Sequence, residues 1–161
     1  MTIENIKQLM DGLDIAQLLP DIMTIMNGLM WLARISLLVA PLVVLGLGVY
    51  YFLLSPKEAN YTAGYRCYWG MGSEEAWRFT QKLSGVLWIL AGLTMILGVV
   101  LLSYRFPAME PTDVMWKVIV CLAMQGGMVL ILRVFVYVVT MFRFDRKGNR
   151  RLTWVQLWRG Y

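Results

Sequence analysis

Three stretches of this chain carry apolar side chains almost without interruption, and the polar and charged residues crowd between and beyond them. Ile35 to Leu54 and Leu83 to Leu102 contain no charge at all. A helix needs roughly 20 mainly apolar residues to cross a hydrocarbon core of about 30 Å, and both stretches meet that length. Val118 to Met141 is longer and equally apolar apart from Gln125 and Arg133. The pattern predicts an all-α integral membrane protein with three transmembrane helices, over about 35–54, 83–102 and 118–141. Pro41 lies inside the first span, where its missing N–H predicts a kink or a freed carbonyl.

Ahead of the first span, Ile3, Ile6, Met10 and Leu13 recur at helical spacing, with Glu4, Lys7, Asp11 and Asp14 on the other faces. This predicts an N-terminal interfacial amphipathic helix, although the same pattern suits a helix that docks on a partner protein. After Pro20 the apolar positions resume at Ile22, Ile25, Met26, Leu29, Met30 and Ala33, broken by Asp21, Asn27 and Arg34. Either a second interfacial helix or a long extension of the first span is expected there. The chain therefore divides into an amphipathic segment (1–34), a three-span membrane domain (35–141) with a loop at 55–82, and a basic, aromatic tail (142–161).

Composition agrees with a membrane protein: 59% of the 161 residues are hydrophobic and 16% are charged, where soluble domains carry about a quarter charged. The mixed-charge start, Met1 to Lys7, does not have the pattern of a cleaved secretory signal. Basic residues near span ends favour the cytoplasm. Lys7, Arg34, Arg105 and Lys117 fall on one side, and Lys57, Arg66, Arg78, Lys82, Arg143, Arg146, Lys147, Arg150, Arg151 and Arg159 on the other. This imbalance predicts an N-terminus outside and a cytosolic loop and C-terminus. The tail's basic groups, with Trp154 and Trp158, suit contact with an anionic inner leaflet. A short basic tail beside a membrane does not make a nucleic-acid site.

Histidine is absent, which removes the commonest general base and metal ligand. Cys67 and Cys121 lie far apart, so neither a disulfide framework nor a metal spacing is implied. No cofactor and no metal are expected. A lipid-modifying enzyme would need a nucleophile and base that cannot be assigned, so the chain is not expected to be an enzyme.

The loop holds the densest chemistry. Ser73 can cap a helix whose first turn contains Glu74 and Glu75, at the positive end of its dipole, and that helix should run directly into the second span. Trp77, Gln81, Ser84 and Trp88 then share a face, a polar and aromatic ridge suited to anchoring at the membrane interface. Gly64, Gly70 and Gly72 punctuate an irregular stretch that predicts a structured cytosolic cap. Arg66 and Arg78 could each hold a phosphate or carboxylate, or pair internally with Glu74 or Glu75. Arg133 lies roughly 13 Å inside the cytosolic end of its span, where a charge is costly and normally faces a bundle interior. Gly126, Arg133, Tyr137 and Thr140 share a face predicted to point inward. Since the spans contain no acid, its partner is expected to be lipid phosphate, carbonyls freed near Pro41, Glu74 or Glu75, or another protein's carboxylate.

Asn60, the Gly64-Tyr65-Arg66 turn, Glu75 and Trp77, followed by Gln81-Lys82-Leu83-Ser84-Gly85, occur in an order that resembles the SdpI bacterial immunity-protein family over residues 56 to 105. Cys67 stands where that family usually has threonine, and the chain has fewer spans than larger members. The resemblance implies a multi-pass protein of the bacterial plasma membrane that helps the cell resist a secreted membrane-active peptide, without a chemical reaction. It points to Asn60, Gly64, Tyr65, Arg66, Glu75 and Trp77 as ligand or partner residues or as residues that hold the loop's fold, and Arg133 joins them from the span. The alternative is an accessory subunit of a larger transporter or export complex, with Gly85 and Gly92 at heptad spacing as the contact surface. A toxic peptide, a partner membrane protein and a second copy of the chain are the expected partners.

Overall fold

The computed structural model of the chain describes residues 15–59 and 61–151, with side-chain surroundings for all of these except 15–23 and 108. Three helices account for most of it: α1 (Ile15–Val49), α2 (Glu74–Tyr104) and α3 (Pro111–Arg143). Each is long and apolar enough to cross a membrane. Helices α2 and α3 extend beyond the expected spans at both ends, because hydropathy marks only where lipid demands apolar side chains. Backbone hydrogen bonding continues until a cap or turn ends it. Ser73 supplies the cap for α2, its Oγ accepting from the Ala76 N–H at 3.1 Å. Helix α1 runs unbroken through Pro20, so the extension of the first span is what forms, and the boundary expected at 34/35 falls inside a helix. The amphipathic stretch at 1–14 lies outside the described residues. Helix α1 ends in a π-helical turn, Tyr50–Leu54, before the chain becomes extended at Ser55.

Helices α1 and α2 pack antiparallel along a glycine seam. A Cβ on Gly92 would sit 2.8 Å from the backbone nitrogen of Leu45, and one on Gly85 would sit 2.8 Å from that of Phe52. Only hydrogen fits, and the backbones gain dispersion contact, which is what holds helices together where lipid is as apolar as the interface. The heptad glycines are therefore used within this chain and are not a surface for another subunit.

Helix α3 joins through Val114, Gln125, Val136 and Thr140, its buried residues. The first three are spaced by 11, about three full turns, and form one narrow stripe. Gly126, Arg133 and Tyr137 lie about 60 to 100° round the helix from that stripe and are exposed. The face expected to point inward is thus a flank, with Thr140 alone of the four buried. Very little of α3's apolar stretch is covered, against a third of α2's.

Pro41 is buried and leaves α1 unbroken. Having no N–H, it leaves the Leu37 carbonyl without its helical donor. Gln125 Nε2 supplies the missing bond at 3.1 Å, so the freed carbonyl is answered by Gln125 and not by Arg133. Gln125→Leu should cost about 1 kcal/mol in reversible unfolding in mixed micelles. In a Pro41→Ala background, where the restored N–H gives the Leu37 carbonyl a helical partner, the same change should cost close to nothing. Equal costs in both backgrounds would remove this carbonyl from the account.

Candidate functional site: the capped end of the bundle

The connection from α1 to α2 folds across one end of the bundle. Gly64 adopts φ +93°, and a Cβ there would also lie 2.7 Å from the Trp77 ring, so the turn requires glycine twice over. Trp77 is fully buried and its Nε1–H donates to the Pro56 carbonyl at 2.7 Å. One helical turn further, Gln81 clamps the Tyr65 backbone in both directions. The Tyr65 N–H donates to Oε1 at 2.8 Å, and Nε2 donates to the Tyr65 carbonyl at 2.7 Å. Ser84 turns inward, its Oγ donating to the Thr80 carbonyl at 2.7 Å. The ridge Trp77, Gln81, Ser84 and Trp88 is therefore buried beneath the loop and is not an interface anchor. Trp77 and Gln81 of this ridge serve the loop's backbone, which would otherwise lack partners beside the membrane.

Tyr65 reaches all three helices. Its ring meets Tyr51, in the turn ending α1, edge to face at 5.6 Å, and Trp88 of α2 at 6.2 Å. Tyr51 and Trp88 complete the cluster at 5.7 Å, and edge-to-face pairs of this kind add roughly 0.5 to 1.5 kcal/mol beyond burial. The Tyr65 hydroxyl donates to the Arg133 carbonyl of α3 at 3.3 Å. Burial pushes this phenol up to about 12, so it stays neutral and keeps its proton to donate. Next to it, the buried Cys67 Sγ accepts from the Gly70 N–H at 3.3 Å and caps the short turn Tyr68–Met71.

The segment after α3 docks on the same end. Phe144 bridges to Arg150, and Asp145 Oδ1 accepts from the N–H groups of Lys147 and Asn149 at 2.9 and 2.8 Å. These bonds, that from Asn149 first, hold the Asp145 carboxyl below its usual range. Gly148, at φ +78°, approaches Gly72 so closely that a Cβ would lie 2.4 Å from its carbonyl carbon. Ser73 Oγ donates to the Gly148 carbonyl at 2.7 Å. Glu75 pairs with Arg150, and Glu74 with Arg78. These pairs are exposed, so each contributes about 0 to 1 kcal/mol and serves more to set register than to stabilise. Arg143 lies over Phe79 at 4.4 Å and Arg151 over Trp69 at 5.5 Å. Arg143, Arg150 and Arg151 of the tail thus meet aromatic and carboxylate partners on the cap. Trp154, Trp158 and Arg159 lie outside the described residues.

Of the expected site residues, Gly64, Tyr65 and Trp77 converge in the cap's interior. Glu75 and Arg66 lie on its surface, and Arg66 Nη1 donates to the Tyr61 carbonyl. Arg133 gives its carbonyl to Tyr65 while its side chain is exposed, and it meets neither Glu74 nor Glu75, whose partners are Arg78 and Arg150. Asn60 lies outside the described residues. Gln81 is the residue not expected as part of the site; its signal was a lone amide one turn after a tryptophan on a single face. Among the described residues no group of three or more side chains suited to a metal is present. The site's chemistry is hydrogen bonding, aromatic faces and exposed guanidinium groups.

Gly64→Ala and Gln81→Leu should each open the cap. The first forces a positive φ and a clash, and the second leaves two Tyr65 backbone groups unpaired at a cost of about 1 to 3 kcal/mol. Labelling of Cys67 by a thiol reagent in detergent-purified protein reads the opening, and faster labelling in both variants is the expected result. Rates unchanged from wild type would show that the clamp does not hold the loop.

The model of the SdpI/YfhL protein family matches residues 57–142, more than half of the chain. The match takes in the turn at Gly64 to Arg66, Glu75 and Trp77, all of α2 and nearly all of α3, well beyond the stretch at 56–105 on which the resemblance was first seen. No curated protein and no solved structure matches the chain. Its three apolar helices make it a multi-pass membrane protein, and the chain belongs to the SdpI/YfhL protein family.

Proposed function

We propose that this chain is a non-enzymatic immunity-type protein that gives resistance to a secreted membrane-active peptide through interaction with the helical bundle, its capped end facing the cytosol. The observation that carries this reading is the junction at Tyr65. A single loop residue contacts the end of α1, Trp88 of α2 and the backbone of α3. A peptide that inserts among the helices would shift this junction, and the loop would carry the shift to the exposed Arg66 and the docked hairpin. The excess of basic residues at the capped end supports the orientation, and the absence of histidine supports binding over catalysis. The second reading, an accessory subunit of a larger membrane complex, is favoured by one observation, the uncovered apolar side of α3.

Deleting the gene and challenging cells with secreted toxic peptides should raise sensitivity, and Arg66→Ala should restore protection only in part at normal membrane abundance. Unchanged sensitivity in the deletion strain would sink the immunity reading, and fixed-ratio co-purification with a transporter would favour the second. For orientation, Tyr61→Cys in a Cys67→Thr background places a thiol at a position 80% exposed. It should resist impermeant thiol reagents in intact cells and react after lysis; reaction in intact cells would invert the topology.

A further inference from the structure

Arg133 has no carboxylate paired with it among the described residues. Among the described residues the only ion pairs are Arg78 with Glu74 and Arg150 with Glu75, and Asp145 is engaged by its own turn. The guanidinium of Arg133 makes no hydrogen bond to a described residue, while that of Arg66 makes one, to the Tyr61 carbonyl. Arg66 directly follows Tyr65, whose hydroxyl donates to the Arg133 carbonyl at 3.3 Å and whose ring meets Tyr51 edge to face at 5.6 Å. Two arginines from separate elements thus flank one tyrosine pair, and neither forms an ion pair with a described carboxylate.

The depth of this point follows from helix geometry. From Lys117 to Arg133, α3 rises about 24 Å, less than the hydrocarbon core of about 30 Å. With Lys117 at one boundary, Arg133 sits several ångströms inside the other, within reach of the headgroups for an extended arginine. On the flank of α3 beside it, Leu130 and Val134 are more than half exposed. A cation at headgroup depth above bare apolar helix matches a molecule with an anionic head and apolar tails.

We propose that Arg66 and Arg133, with Tyr51 between them, form a headgroup site for an anionic phospholipid of the leaflet at the capped end. The guanidinium forks take the phosphate in the paired geometry that arginine favours, and the acyl chains lie along α3. The site fixes α3, the least covered helix, to the loop by a ligand drawn from the membrane. It does not depend on the immunity reading.

Native mass spectrometry of the full chain released from detergent micelles containing phosphatidylglycerol or phosphatidylcholine tests this. Wild type should retain phosphatidylglycerol in preference to phosphatidylcholine, and millimolar inorganic phosphate should not displace it. Arg66→Gln and Arg133→Gln should each weaken retention about fivefold, while Lys117→Gln at the opposite end should not. Thermal melting shows whether the variants remain folded, and the lipid preference of the unaltered protein stands as a test apart from them. Equal retention of both lipids, or equal retention by the double variant, would overturn the site. Displacement by inorganic phosphate would overturn the lipid assignment. So would a fixed-ratio partner protein lost on Arg133→Gln, since a partner carboxylate would then occupy the position.

Discussion

Backbone groups that helices cannot satisfy by themselves have no water to turn to near a membrane, and the structure is organised around answering them. Gln125 gives a donor to the Leu37 carbonyl that Pro41 leaves open. Gln81 pairs both polar groups of Tyr65, and Trp77 donates to Pro56. Ser73 caps α2 and also donates to the Gly148 carbonyl. In every case a side chain on one element answers a carbonyl or N–H on another. Satisfying the backbone is therefore also what assembles the elements, and the bonds cross between segments far apart in sequence.

The helices are unequal partners in this arrangement. Helices α1 and α2 meet through glycines with no space for a methyl group, a close and extended contact. Helix α3 touches the others along a narrow stripe, through the cluster of Leu37, Val99, Phe106 and Val114 at one end, Gln125 in the middle, and Val136 and the cap at the other end. The cap holds α3 through Tyr65, Trp69 and the pairing of Thr80 with Thr140. A helix held along one narrow stripe with the rest of its surface uncovered is the part of this bundle most open to an added component, which is why the lipid proposal and the second functional reading both turn on it. Cys67 has a physical role in the cap: its sulfur accepts from Gly70 at a turn's N-cap.

Much of the architecture was legible beforehand. Uninterrupted apolar runs located three helices, Ser73 marked the start of α2, and the glycines of the loop marked a folded cap. The ordered motif from Gly64 to Trp77 pointed to the family. The inward face of α3 was misjudged because periodicity works by contrast between apolar and polar positions, and in a membrane the lipid-facing side is as apolar as the buried side. Arg133 looked like the natural inward residue on grounds of cost. In the structure its side chain lies exposed on a flank of α3, outside the buried stripe.

By itself, then, the sequence determined which segments must be helical and membrane-spanning, because the bilayer imposes that on any apolar run of sufficient length whatever its neighbours. It marked too, in Gly64, Gly70 and Gly72, a stretch where the backbone could turn or approach closely. Only the tertiary structure decided which polar residue serves which backbone group: Gln125 for Leu37, Gln81 for Tyr65, Arg150 for Glu75. Those pairings depend on register between helices, set by glycine contacts and a single turn at Gly64, and such contacts join residues that no local pattern relates.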